Sequence, residues 1–264
     1  MKKFNNIISL NYNKRGVYSL DPIMGCSSGI AENPMGCYDD CFSAKYAKRY
    51  GYDYSKTVFR NFRNRQHLKE IIQEIKHISF IRMGTSGDPS ENWDHTIKIC
   101  RLISPLNEQL NIFNKVDNKY IVIITKHWNA LSDNQLTDIS KLNICINTSV
   151  AAIDKPEKLK YRLIQYNRIK PYCKSVLRIV SFKFNIDNIM GLKYHKIQDK
   201  LFNNEMIVDN VFRPSPNNYL IKNNIIHAQC IKFLDTKVLM SKYNKKTFVG
   251  YCKNCPEQCG LNLF

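Results

Sequence analysis

Short apolar runs alternate with longer amphipathic segments along the chain from about residue 76 onward. The apolar runs are rich in Ile and Val and end in polar or turn residues, as buried strands do: HISFIRMG, KYIVIITK, LNICINTS, SVLRIVSF and EMIVDNVF. The segments between them have the apolar spacing of helices: ENWDHTIKICRLIS, LSDNQLTDISKL, KPEKLKYRLIQYNRI and LKYHKIQDKLFN. Strands that alternate with helices predict parallel β/α units joined by right-handed crossovers.

The segment before this region predicts one further unit. GVYSLDPIMG would be its strand and CFSAKYAKRYG its helix, which brings the total to six β/α repeats. Six repeats are enough for a partial barrel and fewer than the eight of a closed TIM barrel. We therefore predict an α/β fold, with a partial (β/α)6 TIM-type barrel over residues 1–212 and a cysteine-rich C-terminal extension over residues 213–264. The Pro-containing stretch FRPSPNNY at residues 212–219 marks the boundary between them.

The composition of the chain is that of a globular protein outside the membrane. Of its 264 residues 44% are hydrophobic and 23% are charged, and its longest apolar runs are far too short to span a bilayer. The N-terminal stretch MKKFNNIISLNYNKRG has no apolar region of signal-peptide length. We therefore expect no membrane partner and a reducing, cytoplasmic location.

The chain carries 40 Lys and Arg against 22 Asp and Glu, a formal charge of +18. A polyanion gains affinity for such a surface through counterion release, so a nucleic acid is the obvious partner. The excess of Lys, Asn and Ile can equally reflect an AT-biased coding sequence, in which case many of the lysines form a solvated surface. The charge by itself leaves both explanations open.

The ten cysteines fall into two classes. In a reducing compartment, cysteines serve as metal ligands or as small buried residues more often than as disulfides. Cys100, Cys145 and Cys173 stand alone inside apolar patterns, which predicts that they are core residues. The other seven comprise two groups of three and one residue upstream of the second group: Cys26, Cys37 and Cys41; Cys252, Cys255 and Cys259; and Cys230.

The first cysteine group follows the first predicted strand. In barrels of parallel strands, function is carried by the loops at the carboxyl ends of the strands. Three thiolates do not complete a tetrahedral zinc site, but they suit an iron–sulfur cluster in which one iron is left open for a ligand. The same face is expected to carry the polar groups that end the other strands: residues 84–90, Thr125, Lys126, His127, Asn147, Thr148, Ser149 and Arg178.

The cluster loop SLDPIMGC…GCYDDCFSAKYAKRYG resembles that of the radical S-adenosylmethionine (SAM) superfamily. It is most similar to the branch of spore photoproduct lyase and related phage proteins, where an Asn-Pro-x-x-Gly-Cys opening precedes the cysteines and a Cys-Tyr-Ala helix follows. Residues 21–26 and 41–44 take those places here. The spacing is Cys-x10-Cys-x3-Cys, whereas the superfamily usually has Cys-x3-Cys-x2-Cys.

This resemblance implies a chemistry and its cofactors. Cys26, Cys37 and Cys41 would hold a [4Fe–4S] cluster whose open iron binds SAM. One electron, from a flavodoxin- or ferredoxin-type donor, would cleave SAM to methionine and a 5′-deoxyadenosyl radical. That radical would abstract hydrogen from a substrate, for which the charge favours a nucleic acid or nucleotide.

The resemblance also implies which side chains contact SAM. Phe42 corresponds to a position that packs near the adenine. A segment after the second strand takes the place of the Gly-Gly-Glu motif that holds the SAM amino group: Gly84, Thr85, Ser86, Gly87 and Asp88. Because the chain lacks that glutamate, Asp88 or backbone carbonyls would have to substitute. Contacts to the ribose and the methionyl carboxylate are expected from Thr125, Lys126, Ser149 and Arg178.

The second cysteine group, CKNCPEQC, has the spacing Cys-x2-Cys-x3-Cys, which is typical of metal or cluster sites. Cys230 would be the fourth thiolate. Many radical SAM enzymes carry an extra cluster in a C-terminal extension, so the resemblance favours an auxiliary [4Fe–4S] cluster. His227, three residues before Cys230, keeps a zinc site open as the alternative.

A function of another class is also compatible with these patterns. The cysteines could bind zinc or an iron–sulfur cluster that only organises a basic surface for nucleic acid. The protein would then be a non-catalytic binding module. Metal content and SAM cleavage distinguish this module from the enzyme.

Overall fold

The computed structural model describes residues 2–13, 15–33, 36–104, 119–233 and 235–264. Its α-helices are α1 (Ser27–Glu32), α2 (Phe42–Arg49), α3 (Arg65–Ile75), α4 (Trp93–Ile103), α5 (Asp133–Ile139), α6 (Pro156–Ile169), α7 (Ile189–Phe202) and α8 (Tyr219–Lys222). Its strands are β1 (Leu10–Tyr12), β2 (Tyr18–Leu20), β3 (Ile23–Met24), β4 (Val58–Phe59), β5 (Phe80–Met83), β6 (Tyr120–Thr125), β7 (Ile144–Val150), β8 (Lys174–Ser181), β9 (Lys183–Phe184), β10 (Ile207–Val211), β11 (Ile226–His227), β12 (Gln229–Phe233) and β13 (Thr236–Met240). No helix among these residues is both long and apolar enough to cross a bilayer.

Seven strands form one central sheet in the order β1-β2-β5-β6-β7-β8-β10. β1 runs antiparallel to β2 at one edge, and every other neighbouring pair is parallel. Parallel neighbours need a crossover, and helices α4 to α7 lie in those connections. The protein is therefore a mixed α/β fold with a mostly parallel sheet flanked by helices, and the predicted alternation of strands and helices is confirmed.

Different segments of the chain pack on the two faces of the central sheet. Side chains alternate between faces along a strand, so Ile121 and Ile123 of β6 pack into the core beneath helices α3 to α5. Val122, between them, faces the opposite side and packs against Cys259 and Leu261 near the end of the chain. The helices thus cover one face, and the C-terminal tail covers part of the other.

The tail reaches the sheet as the 3₁₀ segment Gln258–Leu263. The side-chain amide of Asn147 on β7 donates a hydrogen bond to the carbonyl of Cys259 (3.0 Å). Gly260 has φ +91°, and a Cβ there would lie only 2.7 Å from the side chain of Val176 on β8. Glycine is therefore needed where the tail approaches the strand, and the end of the chain belongs to the core of the sheet.

Helix α3, which packs on the central sheet, and edge strand β1 of that sheet were not predicted. Helix α3 buries Ile71, Ile72 and Ile75, and the side chain of Asn64 caps its start by accepting the N–H of His67 (2.8 Å). Its apolar residues do recur at helical spacing, so the signal was present in the sequence. Edge strand β1 has only three residues and pairs on one side, which leaves almost no periodicity to detect.

The isolated cysteines lie where the sequence predicted. Cys100 and Cys145 are fully buried, in the cores on opposite faces of the sheet. Cys173 is half-buried and packs against the helix-side core. These three residues act as small apolar side chains.

Candidate functional site

A cavity of about 150 Å³ lies at the carboxyl ends of β5, β6 and β7. All three cysteines of the first group line it, although they come from a loop with an unusual spacing. Most of the residues predicted to bind SAM line it too: Gly84, Thr85, Gly87, Asp88, Thr125, Lys126 and Ser149. The strand ends and the cysteine loop therefore lie at the same cavity, as the sequence predicted.

Three predicted residues lie elsewhere in the described structure. Phe42 is 77% exposed, and its ring lies beside that of Tyr46 (6.2 Å between centroids). The carbonyl of Ser86 accepts the N–H of Gly25 (3.0 Å), so Ser86 fastens the loop without lining the cavity. Arg178 also lies outside the cavity lining. Phe42 and Arg178 are thus absent from the lining of the cavity that Cys26, Cys37 and Cys41 share.

Asp21 holds the loop that follows β5. Its carboxylate is buried, and it accepts the N–H groups of Gly84 and Thr85 at 2.9 Å and of Ser86 at 3.0 Å. Burial raises the pKa of Asp21, and these three hydrogen bonds oppose that rise. Gly84 has φ +90°, and a Cβ there would come within 2.1 Å of the carbonyl oxygen of Ile124. A buried acid and a glycine together shape this wall of the cavity.

Replacing Asp21 with Asn is expected to lower the free energy of unfolding by about 2–3 kcal/mol, the cost of weakened charge-assisted hydrogen bonds. An amide NH₂ would face backbone N–H groups, so at least one of the three bonds would be lost. Urea unfolding of the purified chain measures this change. Asp187→Asn, the same substitution at an exposed position, serves as the control and should leave the midpoint unchanged. Equal losses in both variants would contradict this role of Asp21.

Glycines keep space beside two of the cysteines. A Cβ on Gly29 would lie 2.7 Å from the sulfur of Cys26. Gly36 has φ +83°, and a Cβ on it would lie 2.3 Å from the Cβ of Cys41. Cys37 follows Gly36 directly, at the start of a 3₁₀ turn. The loop therefore packs its backbone closely around the sulfurs, which larger residues would prevent.

The thiols of Cys26 and Cys37 lie in surroundings that oppose ionisation. Burial raises the pKa of Cys26 far above its usual range, and the nearby charge of Asp88 adds to this effect. Burial also raises the pKa of Cys37 to about 11, although the ammonium of Lys126 opposes the rise. Bound metal supplies the positive charge that converts such thiols into thiolate ligands.

Among the described residues, the three cysteines line one cavity without converging on a single-ion site. Within the described ranges, no three His, Cys, Asp or Glu side chains lie close enough to hold one metal ion. A [4Fe–4S] cubane places each cysteine on a different iron, so its thiolates surround a cavity and do not converge on one point. Cys26, Cys37 and Cys41 line a cavity in this way. They would hold three irons and leave the fourth without a protein thiolate.

Asp88 is engaged by hydrogen bonds within the chain. One carboxylate oxygen accepts from the N–H and the hydroxyl of Ser90 (2.9 and 2.7 Å) and from the hydroxyl of Thr125 (2.6 Å). The other accepts the N–H of Lys126 (2.7 Å). A carboxylate has about four acceptor sites, and these bonds use that number. Asp88 lines the cavity, but its carboxylate is used largely by groups of the chain itself.

Glu91 was not singled out from the sequence, although it lies one residue after the GTSGDPS stretch. Its carboxylate accepts the N–H of Ser28 (2.9 Å) and the hydroxyl of Ser27 (2.7 Å). The sulfur of Cys26 lies 3.6 Å from the same carboxylate. Glu91 therefore holds the first turn of α1 in place next to the first cysteine.

A buried ion network supports the other side of the cysteine loop. Asp154 accepts from the ammonium of Lys126 (3.3 Å) and pairs with the guanidinium of Arg162 (2.9 Å). Burial alone would raise the pKa of Asp154, but the two cations outweigh it and hold that pKa below its ordinary value. The ammonium of Lys126 also donates to the hydroxyl of Tyr38, which lies within the cysteine loop. The network thus links the loop to the strand ends.

The C-terminal cysteines do not form a finished metal site. Cys252 and Cys255 are half-buried, and the N–H of Cys255 donates to the carbonyl of Cys252 (3.0 Å) in a tight turn. Cys259 is buried against the sheet. Cys230 is exposed on β12, and the described contacts do not bring it to the other three. Cys230 thus lies apart from the three tail cysteines in the described contacts.

Arg178 lies beside this tail. Its guanidinium donates to the side-chain carbonyl of Asn210 (2.7 Å) and interacts with the thiols of Cys259 and Cys252. Burial lowers the pKa of Arg178, and the neighbouring arginines Arg82 and Arg15 lower it further. Two partly buried arginines, Arg178 and Arg15, thus lie near the C-terminal cysteines.

The cavity combines three cysteines, a loop shaped by glycine and a buried ion network at one edge of the sheet. Other lining residues, such as Tyr54 and Trp128, carried no signal in the sequence that distinguished them from core aromatics. Comparison with known proteins assigns no family, because no protein-family model matches the chain and no curated protein matches it either.

Proposed function

We propose that the protein is a radical SAM enzyme, in which Cys26, Cys37 and Cys41 hold a [4Fe–4S] cluster. The observation that carries this proposal is the shared cavity, which these cysteines line together with the ends of three parallel strands. Cysteines retained only for packing would not need to surround a common space. The glycines beside Cys26 and Cys41 support the same conclusion.

When bound, the cluster and SAM supply one-electron cleavage of SAM and hydrogen abstraction from a substrate. The chain itself would bind and orient the cofactor and the substrate, and it would exclude water from them. Residues of the Asp21-supported loop line the cavity, while Thr125, Lys126 and Ser149 offer polar contacts at the strand ends. A flavodoxin- or ferredoxin-type protein would donate the electron.

The fold expected for this function is a partial (β/α)6 barrel. Six parallel strands follow one another in chain order, and the helix cores lie on one face of the sheet. Doubly wound folds cover both faces with helices, so this one-sided cover supports the barrel. The C-terminal tail then packs within the open barrel.

We also propose a second metal centre on Cys252, Cys255 and Cys259, an auxiliary [4Fe–4S] cluster in preference to zinc. Thiolates on iron carry negative charge, and Arg178, with its arginine neighbours, would compensate it. Cys230 stays the predicted fourth ligand.

The net charge of +18 supports a nucleic-acid substrate, and the reducing chemistry suits the cytoplasm.

Anaerobic reconstitution followed by reduction in the presence of SAM tests this proposal. We expect a brown protein that forms 5′-deoxyadenosine and holds about eight irons if both centres are [4Fe–4S] clusters. About four irons with one zinc would indicate a zinc clamp in the tail. A colourless zinc protein that binds nucleic acid and leaves SAM intact would contradict the enzyme and favour the binding module.

A further inference from the structure

A second cavity, of about 260 Å³, adjoins the cysteine cavity. The two share Gly29, Cys37, Lys126 and Trp128 in their walls. We call the second one the side cavity. A molecule bound in it would lie across this shared wall from the cysteine cavity and would contact one of its cysteines, Cys37.

Two buried polar atoms on the walls of the side cavity have no hydrogen-bond partner among the described residues: Trp128 Nε1 and Glu32 Oε2. The nearest charge to the Glu32 oxygen is the guanidinium of Arg162 at 3.9 Å, which is beyond hydrogen-bond distance. The other tryptophan of the chain is different, because Trp93 Nε1 donates to the carbonyl of Asn129 (2.8 Å). Buried polar groups in proteins normally have partners, so a missing one points to a ligand.

The remaining charges and rings of the side cavity limit what that ligand can be. Lys126 and Arg162 share the carboxylate of Asp154, and the carboxylate of Glu32 lies 3.9 Å from Arg162, so the two cations and two carboxylates nearly cancel. Lys155 is an exposed cation in the lining, and Lys158 lies 6.0 Å from the ring centroid of Trp128. Aromatic walls suit a planar ligand that stacks, and cations at the opening suit an anionic group attached to it.

We propose that the side cavity binds one nucleotide unit of the substrate. The edge of a nucleobase presents an acceptor next to an N–H donor, which would pair with Trp128 Nε1–H and with the carboxylate of Glu32. The phosphate would lie near Lys155 and Lys158. This inference rests on the proposed function, since it supplies the substrate for the neighbouring cysteine cavity.

Binding can be measured without iron or SAM. In a Trp93→Phe variant, Trp128 is the one remaining tryptophan, since the chain has two, and its fluorescence reports on the side cavity. We expect nucleoside 5′-monophosphates to bind about tenfold more tightly than the matching nucleosides at low salt, and this difference to shrink as salt screens the phosphate. Calorimetry on the unaltered chain gives the same comparison if Trp93→Phe does not fold.

Two substitutions test the assigned contacts. Glu32→Gln removes the charged acceptor and Trp128→Phe removes the N–H, and each should weaken binding of the monophosphates about tenfold in calorimetry. Glu70→Gln, at an exposed position on α3, is the matched control and should bind as the unaltered chain does. Binding that is equal in all three variants would place the nucleotide elsewhere and overturn the proposal.

Two further results would also overturn it. No binding of any monophosphate at millimolar concentration would leave the side cavity without this ligand. If SAM or 5′-deoxyadenosine bound as tightly as the monophosphates, with the same sensitivity to Glu32→Gln, the side cavity would be a site for the cofactor's own adenosine. Either result leaves the cluster proposal standing, because iron content and 5′-deoxyadenosine formation are measured independently of this cavity.

Discussion

Replacing Cys37 with alanine is expected to abolish the cleavage of SAM and to remove about four irons per chain. Cys26→Ala and Cys41→Ala should each do the same, because a cluster held by two thiolates in a solvent-accessible cavity is readily lost. The loss of activity should therefore be complete and not graded. Iron analysis and detection of 5′-deoxyadenosine after anaerobic reconstitution measure it.

Cysteines outside the cavity provide the controls for this experiment. Cys173→Ala changes a half-buried cysteine that packs against the core, so it should keep both iron and activity. The double variant Cys252→Ala/Cys255→Ala should lose the second centre and retain the first cluster. If Cys26→Ala, Cys37→Ala and Cys41→Ala all still formed 5′-deoxyadenosine, the assignment of the cluster would be wrong.

Replacing Asp154 with Asn is expected to lower the free energy of unfolding at neutral pH by about 3–5 kcal/mol, the usual cost of breaking a buried ion pair. The substitution leaves the buried ammonium of Lys126 without its carboxylate and leaves Arg162 with only the more distant carboxylate of Glu32, at 3.9 Å. It should also loosen the cysteine loop, which Lys126 contacts through Tyr38. Urea unfolding measures the change, and iron binding after reconstitution reports on the loop.

The effect of Asp154 should depend on pH in one direction. Its pKa in the folded protein is below the ordinary value of 3.8, so its contribution is fully present above that value. As the pH falls through the lower, folded pKa, the carboxylate takes up a proton and the contribution is lost. The gap between the unaltered chain and Asp154→Asn should therefore close in acid, below about pH 4.

A surface ion pair provides the control for Asp154. The guanidinium of Arg168 pairs with Asp133, whose side chain is 90% exposed. Asp133→Asn should cost at most about 1 kcal/mol, because solvent screens this pair. A similar loss in both variants would mean that burial does not set the strength of the Asp154 network.

The sequence alone predicted which strand ends form the cavity. The alternation of apolar runs and helical segments indicates parallel strands, and the carboxyl ends of parallel strands lie at one edge. Gly84, Thr125 and Ser149 end three of those strands, so their approach to the cysteine loop follows from topology. Local pattern was sufficient here because each residue had only to lie at the end of its own strand.

The same reasoning gave less where a distant segment packs beside a strand. Arg178 was expected at the SAM site with the other strand-end residues. In the folded chain it is in register with Ser149, but it is absent from the cavity lining, and its guanidinium donates to Asn210 and lies near Cys259 of the tail. Nothing local to β8 indicates that a segment about 80 residues later in the chain occupies that face.

Asp88 and Asp21 show that the sequence alone also does not tell which acidic side chain is used inside the fold. The sequence marked Asp88 as a cofactor ligand, but four internal hydrogen bonds engage it. The sequence indicated Asp21 only as part of a motif, yet its carboxylate anchors the loop after β5 by accepting three backbone N–H groups. Which acid is used internally depends on donors that folding brings from distant segments.

By itself, the amino-acid sequence determined the alternation of strands and helices from β5 to β10, the core cysteines and the segments that end at the cavity, because these depend on periodicity and spacing within short stretches. Only the tertiary structure decided that Phe42 is exposed, that the tail packs on the open face of the sheet and that the side cavity adjoins the cysteines. Those features depend on contacts between residues far apart in the chain, whose energies no local pattern encodes.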